Sequence, residues 1–291
     1  MQQALIGVIG GSGLYQMDAL ENTNEIQIET PFGKPSDVIV TGQVAGIDVA
    51  FLARHGRGHR LIPSEVPYRA NIYAMKKMGI RYLISISAVG SLREEMKPLD
   101  IVLPDQFIDL TKRRDSSFFG NGAVAHVSMA HPICDRVANA LLRATDKLNL
   151  SEPIQLHQGG TYVCIEGPQF STLAESQWYR SMGASVIGMT NMPEAKLARE
   201  AEIAYATLAM VTDYDCWHPQ EANVTANMAI ANLMKNAHHA QEIIATAIKI
   251  LGTERPLSIA HGALSDALVT RPDGMSDVTR DRLSAILEAY T

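Results

Sequence analysis

IAYATLAMVTDYDCW, Ile203 to Trp217, is an uncharged apolar run that ends in two carboxylates one residue apart. Ile203–Val211 reads as a buried strand, because apolar residues follow one another without polar alternation. Such a strand is covered on both faces, which points to an α/β fold around a buried sheet. Asp213 and Asp215 then stand at the C-terminal tip of a core strand, where open α/β sheets place their ligands. With one residue between them, both can face the same side of an extended segment. A carboxylate there can hold a proton for a basic ring nitrogen or accept a bond from an exocyclic amine, which suits a 6-aminopurine. Taken alone, Asp-x-Asp is more often a helix cap beside a solvated carboxylate. The other strand ends therefore decide its weight.

Outward from that strand, strand-like and helix-like segments alternate along all 291 residues. Ala4–Ile9 predicts a strand. Val38–Thr41 and Ile47–Ala53 predict a hairpin, and Tyr82–Ser87, Gly160–Ile165 and Val186–Met189 predict further strands. Helical spacing marks Tyr68–Met78, Arg136–Leu148, Thr172–Met182, Glu194–Ala201 and Thr225–Leu251, with the pattern broken between Gly252 and Pro256. The expectation is a single α/β domain over residues 1–291 with a central mixed, twisted sheet flanked by helices. Residues 255–291 form a helical tail. At 46% hydrophobic and 19% charged the chain supports one large core. A net charge of -6 with no basic block argues against nucleic acid. No apolar run approaches the roughly 18 residues of a membrane span. Cys134, Cys164 and Cys216 are scattered without metal-ligand spacing, and no signal peptide is evident, so a reducing cytoplasm is expected.

Four strand ends each deliver a donor. Gly10-Gly11-Ser12-Gly13 lets backbone N–H groups approach an anion and adds the Ser12 hydroxyl. The dinucleotide spacing fails, because Tyr15 and Gln16 stand where a third glycine belongs. Arg54 offers a planar fork for phosphate, with His55 as a second donor. Arg57, His59, Arg60 and Ser64 raise the local positive potential. Ser87 with the N–H of Ala88, and Thr190 after Met189, complete the set. One hydroxyl at a strand end is ordinarily a cap, but four converging donors are hard to obtain that way. Phe170, in the turn after Glu166-Gly167-Pro168, can stack on a planar base.

These motifs resemble one known family. IGGSGLY, TPFGKPSD, LARHG, SAVGSLREE, DQFIDLT, EGPQFST, GMTNMPEAKLAREA and TDYDCW occur in order over residues 4 to about 251. Together they resemble the 5′-methylthioadenosine phosphorylases, within the trimeric purine nucleoside phosphorylases. The resemblance implies a homotrimer and phosphorolysis of methylthioadenosine to adenine and 5-methylthioribose 1-phosphate. No metal or organic cofactor is implied, and phosphate is a co-substrate. It implies Asp213 as the acid at purine N7 and Asp215 as its orienter and 6-amino contact. Ser12, Arg54, His55, Ser87, Ala88 and Thr190 are implied as the phosphate site, Met189 as the ribose contact and Phe170 as the base wall. His126 matches a position that reaches a neighbour's 5′ pocket. Val224, Met228 and the tail around Leu268 are the apolar 5′ candidates. Pro67 stands where relatives usually carry Asn, at a plausible first helical turn.

Paired acids argue against a 6-oxopurine, and an apolar 5′ pocket against a 5′-hydroxyl. A purine nucleoside phosphorylase acting on adenosine or methylthioinosine is the rival reading. A nicotinamide-dependent oxidoreductase fails on glycine spacing. A non-catalytic nucleoside-binding module needs neither the acid pair nor the anion cradle.

Overall fold

Apolar runs become interior strands, and amphipathic segments cover them. The computed structural model describes residues 5–11, 17–148, 154–221 and 224–291. Its strands are β1 (Ile6–Gly10), β2 (Leu20–Ile26), β3 (Ile39–Val44), β4 (Ile47–Ala53), β5 (Tyr82–Ser91), β6 (Ile101–Leu103), β7 (Gln106–Asp109), β8 (Leu156–Gln158), β9 (Thr161–Cys164), β10 (Val186–Gly188) and β11 (Ala204–Asp213). The helices are α1 (Tyr68–Lys77), α2 (Asp135–Lys147), α3 (Leu173–Ser181), α4 (Asn191–Glu200), α5 (Ala226–Glu254), α6 (Asp277–Arg282) and α7 (Ser284–Leu287). All strands join one mixed sheet, in the order β2-β3-β4-β1-β5-β10-β9-β7, with a branch from β5 through β11 and β6 to β8.

Alternate residues of the central strands feed two cores. Leu83, Tyr205, Ala209 and Val211 face one cluster, which also holds Ile72 and Met75 of α1 and Leu197 and Ala198 of α4. Ile84, Ala206, Leu208 and Met210 face another, with Val137 and Leu141 of α2 and Ile243 and Ile244 of α5. Three layers result, helix on sheet on helix. Pro67 stands at the N-cap of α1, where a missing N–H leaves no helical bond unmade.

Several boundaries differ from expectation. β5 runs on through Ser91 and β11 through Asp213, because each end finds a neighbour strand. β2 has a mostly exposed, polar composition that hides it from a pattern search. α5 passes through Gly252, which packs against Ile47, and ends at Arg255 with φ 44. A helix interior absorbs one glycine at a cost of about 1 kcal/mol.

The tail lies at one end of the sheet. Tyr82 donates to the Pro256 carbonyl at 2.8 Å, and the Leu264 N–H donates to Glu202 at 3.0 Å. The Tyr290 hydroxyl also donates to Glu202. Tyr82 pairs with Ala204, whereas Asp213 pairs with Gly90 at the other end of the same two strands. At about 3.3 Å per residue the two ends are roughly 25 Å apart. Residues 255–291, expected to pack near a 5′ site, make these contacts with their own chain at the end of β5 and β11 away from Asp213. They close the N-terminal ends of β5 and β11.

Candidate active site

The site begins where the sheet forks. β1 pairs with β5 only as far as Ile9 opposite Ser85, and β10 joins the same edge at Gly90. Between them the edge of β5 from Ile86 to Val89 carries no strand. The N–H and C=O of one residue point the same way, and direction alternates along a strand. Ile86 turns its carbonyl into this gap, where Arg54 Nη1 donates to it at 2.9 Å. Ala88, two residues on, turns its N–H into the same gap, and it is the one exposed residue of β5.

Asp213 and Asp215 converge on the far side of Gly90. A bulge at Thr212 shifts the β11 register so that Asp213 lies opposite Gly90. Asp213 Oδ1 accepts the Asp215 N–H at 2.8 Å, and Oδ2 accepts the Thr212 hydroxyl at 2.7 Å. Asp215 has φ 53, so the pair is brought together by a tight turn rather than by extended alternation as expected. A Cβ on Gly90 would come within 2.9 Å of Asp213 Oδ1 and 3.4 Å of Asp215 Cβ, so both acids need this glycine. Burial pushes the Asp213 carboxyl up to about 6, the Asp215 charge adds to it, and the two hydrogen bonds oppose it. Burial raises Asp215 as well, against the pull of the Ser176 and Ser171 hydroxyls beside it.

The anion donors cluster at the gap. Ser87 Oγ lies 3.2 Å from Thr190 Oγ1. Thr190 sits at the N-cap of α4 without making a side-chain cap bond, so its hydroxyl is not spent on the helix. Arg54 is 2% exposed and held from below. Its Nε–H donates to Glu194 at 2.7 Å, and Nη2 donates to Glu194 at 3.0 Å and to Ser85 at 2.6 Å. Glu194 also accepts from Ser85 and Tyr205. Burial works against the Arg54 charge, but Glu194 holds the guanidinium firmly protonated. One Nη1 hydrogen remains for an anion. The expected donor role of the His55 ring is corrected. Its Nδ1 lies 2.8 Å from the Leu61 carbonyl and must carry the proton there. Burial, reinforced by Arg54, lowers the ring to about 4, so Nε2 is left as an acceptor at neutral pH. Ser12 lies outside the described residues.

Walls and 5′ candidates follow. Glu166 ties the turn before Phe170 in place, accepting from Ser64, the Lys112 and Arg113 N–H groups and Arg114. Arg114 also donates to the Met189 carbonyl at 2.7 Å. Phe170 is 44% exposed. Cys216 Sγ contacts the Ser171 carbonyl at 3.4 Å, which sets the Phe170 turn beside the acid pair. Met189 Sδ lies against Gly167. The Val224 N–H donates to the Asp215 carbonyl at 3.1 Å, and Asn232 of α5 holds the Thr212 carbonyl at 2.8 Å, so Val224 and the first turn of α5 with Met228 border the site. His126 and Leu268 do not. They form a pair of their own, with the His126 N–H on the Ala267 carbonyl at 2.9 Å and a bridge between Ala125 and Leu268. Cys134, on the same segment, bonds Tyr205 at the opposite end of β11.

Comparison with known proteins matches this arrangement. Residues 5–249 fit the model of the phosphorylase superfamily. A curated S-methyl-5′-thioadenosine phosphorylase of Synechocystis sp. is 59% identical over 290 residues, covering 100% of this chain and 89% of the relative. The chain belongs to the methylthioadenosine phosphorylase family. The crystal structure of a methylthioadenosine phosphorylase from an Antarctic soil metagenomic library is 63% identical, with a TM-score of 0.95 over 99% of this chain and 100% of that one. A methylthioadenosine phosphorylase from Schistosoma mansoni, solved with adenine, is 38% identical, with a TM-score of 0.81 over 87% and 93%. Two residues that the structure sets against the candidate donors escaped the sequence reading, Glu194 beneath Arg54 and Tyr162 beside Ser87. Each is buried and makes its contact across more than seventy positions of chain.

Proposed function

We infer that the chain cleaves S-methyl-5′-thioadenosine with inorganic phosphate, giving adenine and 5-methylthioribose 1-phosphate. The carrying observation is the buried Asp213–Asp215 pair around Gly90, two residues along β5 from the open backbone edge at Ala88. Adenine leaves poorly unless N7 gains a proton. With its carboxyl near 6, Asp213 holds a proton in about one molecule in ten at pH 7, enough to share it with N7 as the glycosidic bond breaks. Asp215 accepts from the 6-amino group. Ser12, Ser87, Thr190, the Ala88 N–H and the last Arg54 hydrogen receive the phosphate. Its charge then stabilises the oxocarbenium-like sugar that it attacks. His55 accepts from a protonated phosphate oxygen. Phe170 stacks on the base, Met189 meets the ribose, and Val224 and Met228 line the methylthio side. No metal or organic cofactor enters this scheme.

Among the described residues, His126 and Leu268 bond to each other's segments and make no hydrogen bond to the acid pair of their own chain. They serve a 5′ pocket only from a neighbouring copy, which supports a homotrimer with sites at subunit boundaries. No described helix is long and apolar enough to cross a membrane, and a cytoplasmic setting fits three free cysteines. The test is phosphate-dependent release of adenine from methylthioadenosine, with adenosine and methylthioinosine in parallel. Preference for methylthioinosine would overturn the acid-pair reading. Equal use of adenosine would overturn the apolar 5′ pocket.

A further inference from the structure

Tyr162 lies wholly inside the protein, on β9, with no exposed surface. Its ring packs edge-on against Phe107 with centroids 5.6 Å apart. Its hydroxyl reaches the anion cradle from behind, 3.0 Å from Ser87 Oγ, with Thr190 in reach as well. The approach is so close that a Cβ on Gly188 would lie 1.9 Å from the Tyr162 oxygen. Only glycine at 188 leaves the hydroxyl room. Among the described residues it contacts no carbonyl or carboxylate, only the hydroxyls of Ser87 and Thr190.

That makes a cluster of three hydroxyls with three protons, and the direction of the bonds matters. A hydroxyl donates one hydrogen bond and accepts up to two. Alone, Ser87 can spend its proton on the backbone rather than on an anion, since its Oγ also lies 3.3 Å from the Ala88 carbonyl. To hold an anion, Ser87 and Thr190 must both point their protons outward. Something must then donate to the Ser87 oxygen from within. Tyr162 is the inner member, and burial raises its pKa, so it keeps its proton throughout.

We propose that Tyr162 is a positioning residue for the phosphate co-substrate, donating its hydroxyl proton to Ser87 Oγ and so turning the Ser87 hydroxyl outward onto the anion. The proposal rests on reading Ser87, Ala88 and Thr190 as the phosphate cradle. Tyr162 touches neither nucleoside nor phosphate.

The test is steady-state kinetics on the intact protein, varying phosphate and methylthioadenosine separately. Tyr162→Phe removes one oxygen and keeps the ring. Its phosphate KM is expected to rise roughly 5- to 30-fold, the effect of losing one buried hydrogen bond of ordinary strength. The methylthioadenosine KM should stay within about two-fold of wild type, and kcat at saturating phosphate should hold, because only a ground-state donor is misdirected. A merely structural role would move both KM values, or neither. Ser87→Ala separates the two layers of argument. If it leaves the phosphate KM unchanged, the cradle reading itself fails. If it raises the phosphate KM while Tyr162→Phe does not, only the positioning role is overturned. In the Ser87→Ala background, Tyr162→Phe should add no further rise, since its route to phosphate is gone. A full additional rise there refutes the route through Ser87. Tyr162→Met, whose flexible chain fills the same space without a hydroxyl, repeats the test where the phenylalanine variant folds poorly.

Discussion

Replacing Asp213 by asparagine should make this protein more stable and nearly inactive at once. In the native chain burial moves the Asp213 carboxyl from its ordinary 3.8 to about 6. At 1.36 kcal/mol per pH unit, that disfavours the folded, ionised form by roughly 3 kcal/mol. The sign follows from linkage. Below about pH 4 the carboxyl is protonated in folded and unfolded chains alike, and there is no penalty. As pH rises from 4 to 6 the unfolded chain ionises first, so stability falls, and above 6 the full penalty stands. Asparagine never ionises. Its Oδ1 can accept the Asp215 N–H, and its Nδ2 can donate to the Thr212 oxygen once that hydroxyl turns its proton from position 213 to the Val89 carbonyl, 3.2 Å away. Imperfect geometry in that exchange removes up to about 1 kcal/mol of the gain. A net stabilisation of about 2 kcal/mol at pH 7.5 corresponds to a rise in melting temperature on the order of 5 °C. The rise should shrink toward zero as pH falls to 4. Turnover of methylthioadenosine should drop by about 10²–10⁴, the usual contribution of a positioned acid. Wild-type kcat/KM should lose activity with rising pH through a limb near 6, and the variant should lack that limb. The assays are thermal unfolding from pH 4 to 8 and a pH–rate profile of adenine release. A variant that melts at or below wild type at pH 7.5, or that turns over normally, refutes the reasoning.

Three further outcomes are expected. Glu194→Gln strips the buried Arg54 guanidinium of its counter-charge and should cost about 3–5 kcal/mol, read as a lower urea midpoint, with weaker phosphate binding. Phe170→Ala removes a ring that is 44% exposed, so stability should change little while the methylthioadenosine KM rises by the roughly 1–3 kcal/mol of a stacking contact. An unchanged KM would place Phe170 outside the base site. His126→Glu and Asp213→Asn should each be poorly active alone, yet subunits of the two refolded together should recover part of the activity. No recovery would mean that the site is not shared between copies.

Legibility in the sequence followed the range of each interaction. β11 was plain because the eight apolar residues between Ile203 and Val211 carry their own signal. The hairpin of β3 and β4 was plain because Ala45-Gly46 supplies its turn, with φ values of 51 and 75. β8, three residues long, and the polar β2 were not, because each is held by partners that a local window never sees. The donors at strand ends were named from residue type alone, and their state was not legible. That the His55 ring spends its proton on Leu61, six residues on, depends on how a loop folds back. Glu194 read as one acid in a helix, and only the fold sets it under Arg54, 140 positions earlier. The convergence of Asp213 and Asp215 was anticipated for the wrong reason. Extended alternation suggested it, and a bulge followed by a left-handed residue produces it.

Ala88 and Gly90 stand two residues apart on the unbroken strand β5, and the two halves of the chemistry hang from them. On the proposed reading, the nucleophile is seated at one and the proton donor is braced against the other. The gap of about 7 Å between these seats is a pleat length, set by peptide geometry rather than by any side chain. Substitutions around the site can therefore alter charge, polarity or pocket shape without altering the spacing between attack and departure. A change that slipped β5 by one residue would spoil both seats together. The strand works as a fixed gauge, and substrate choice is left to the loops around it.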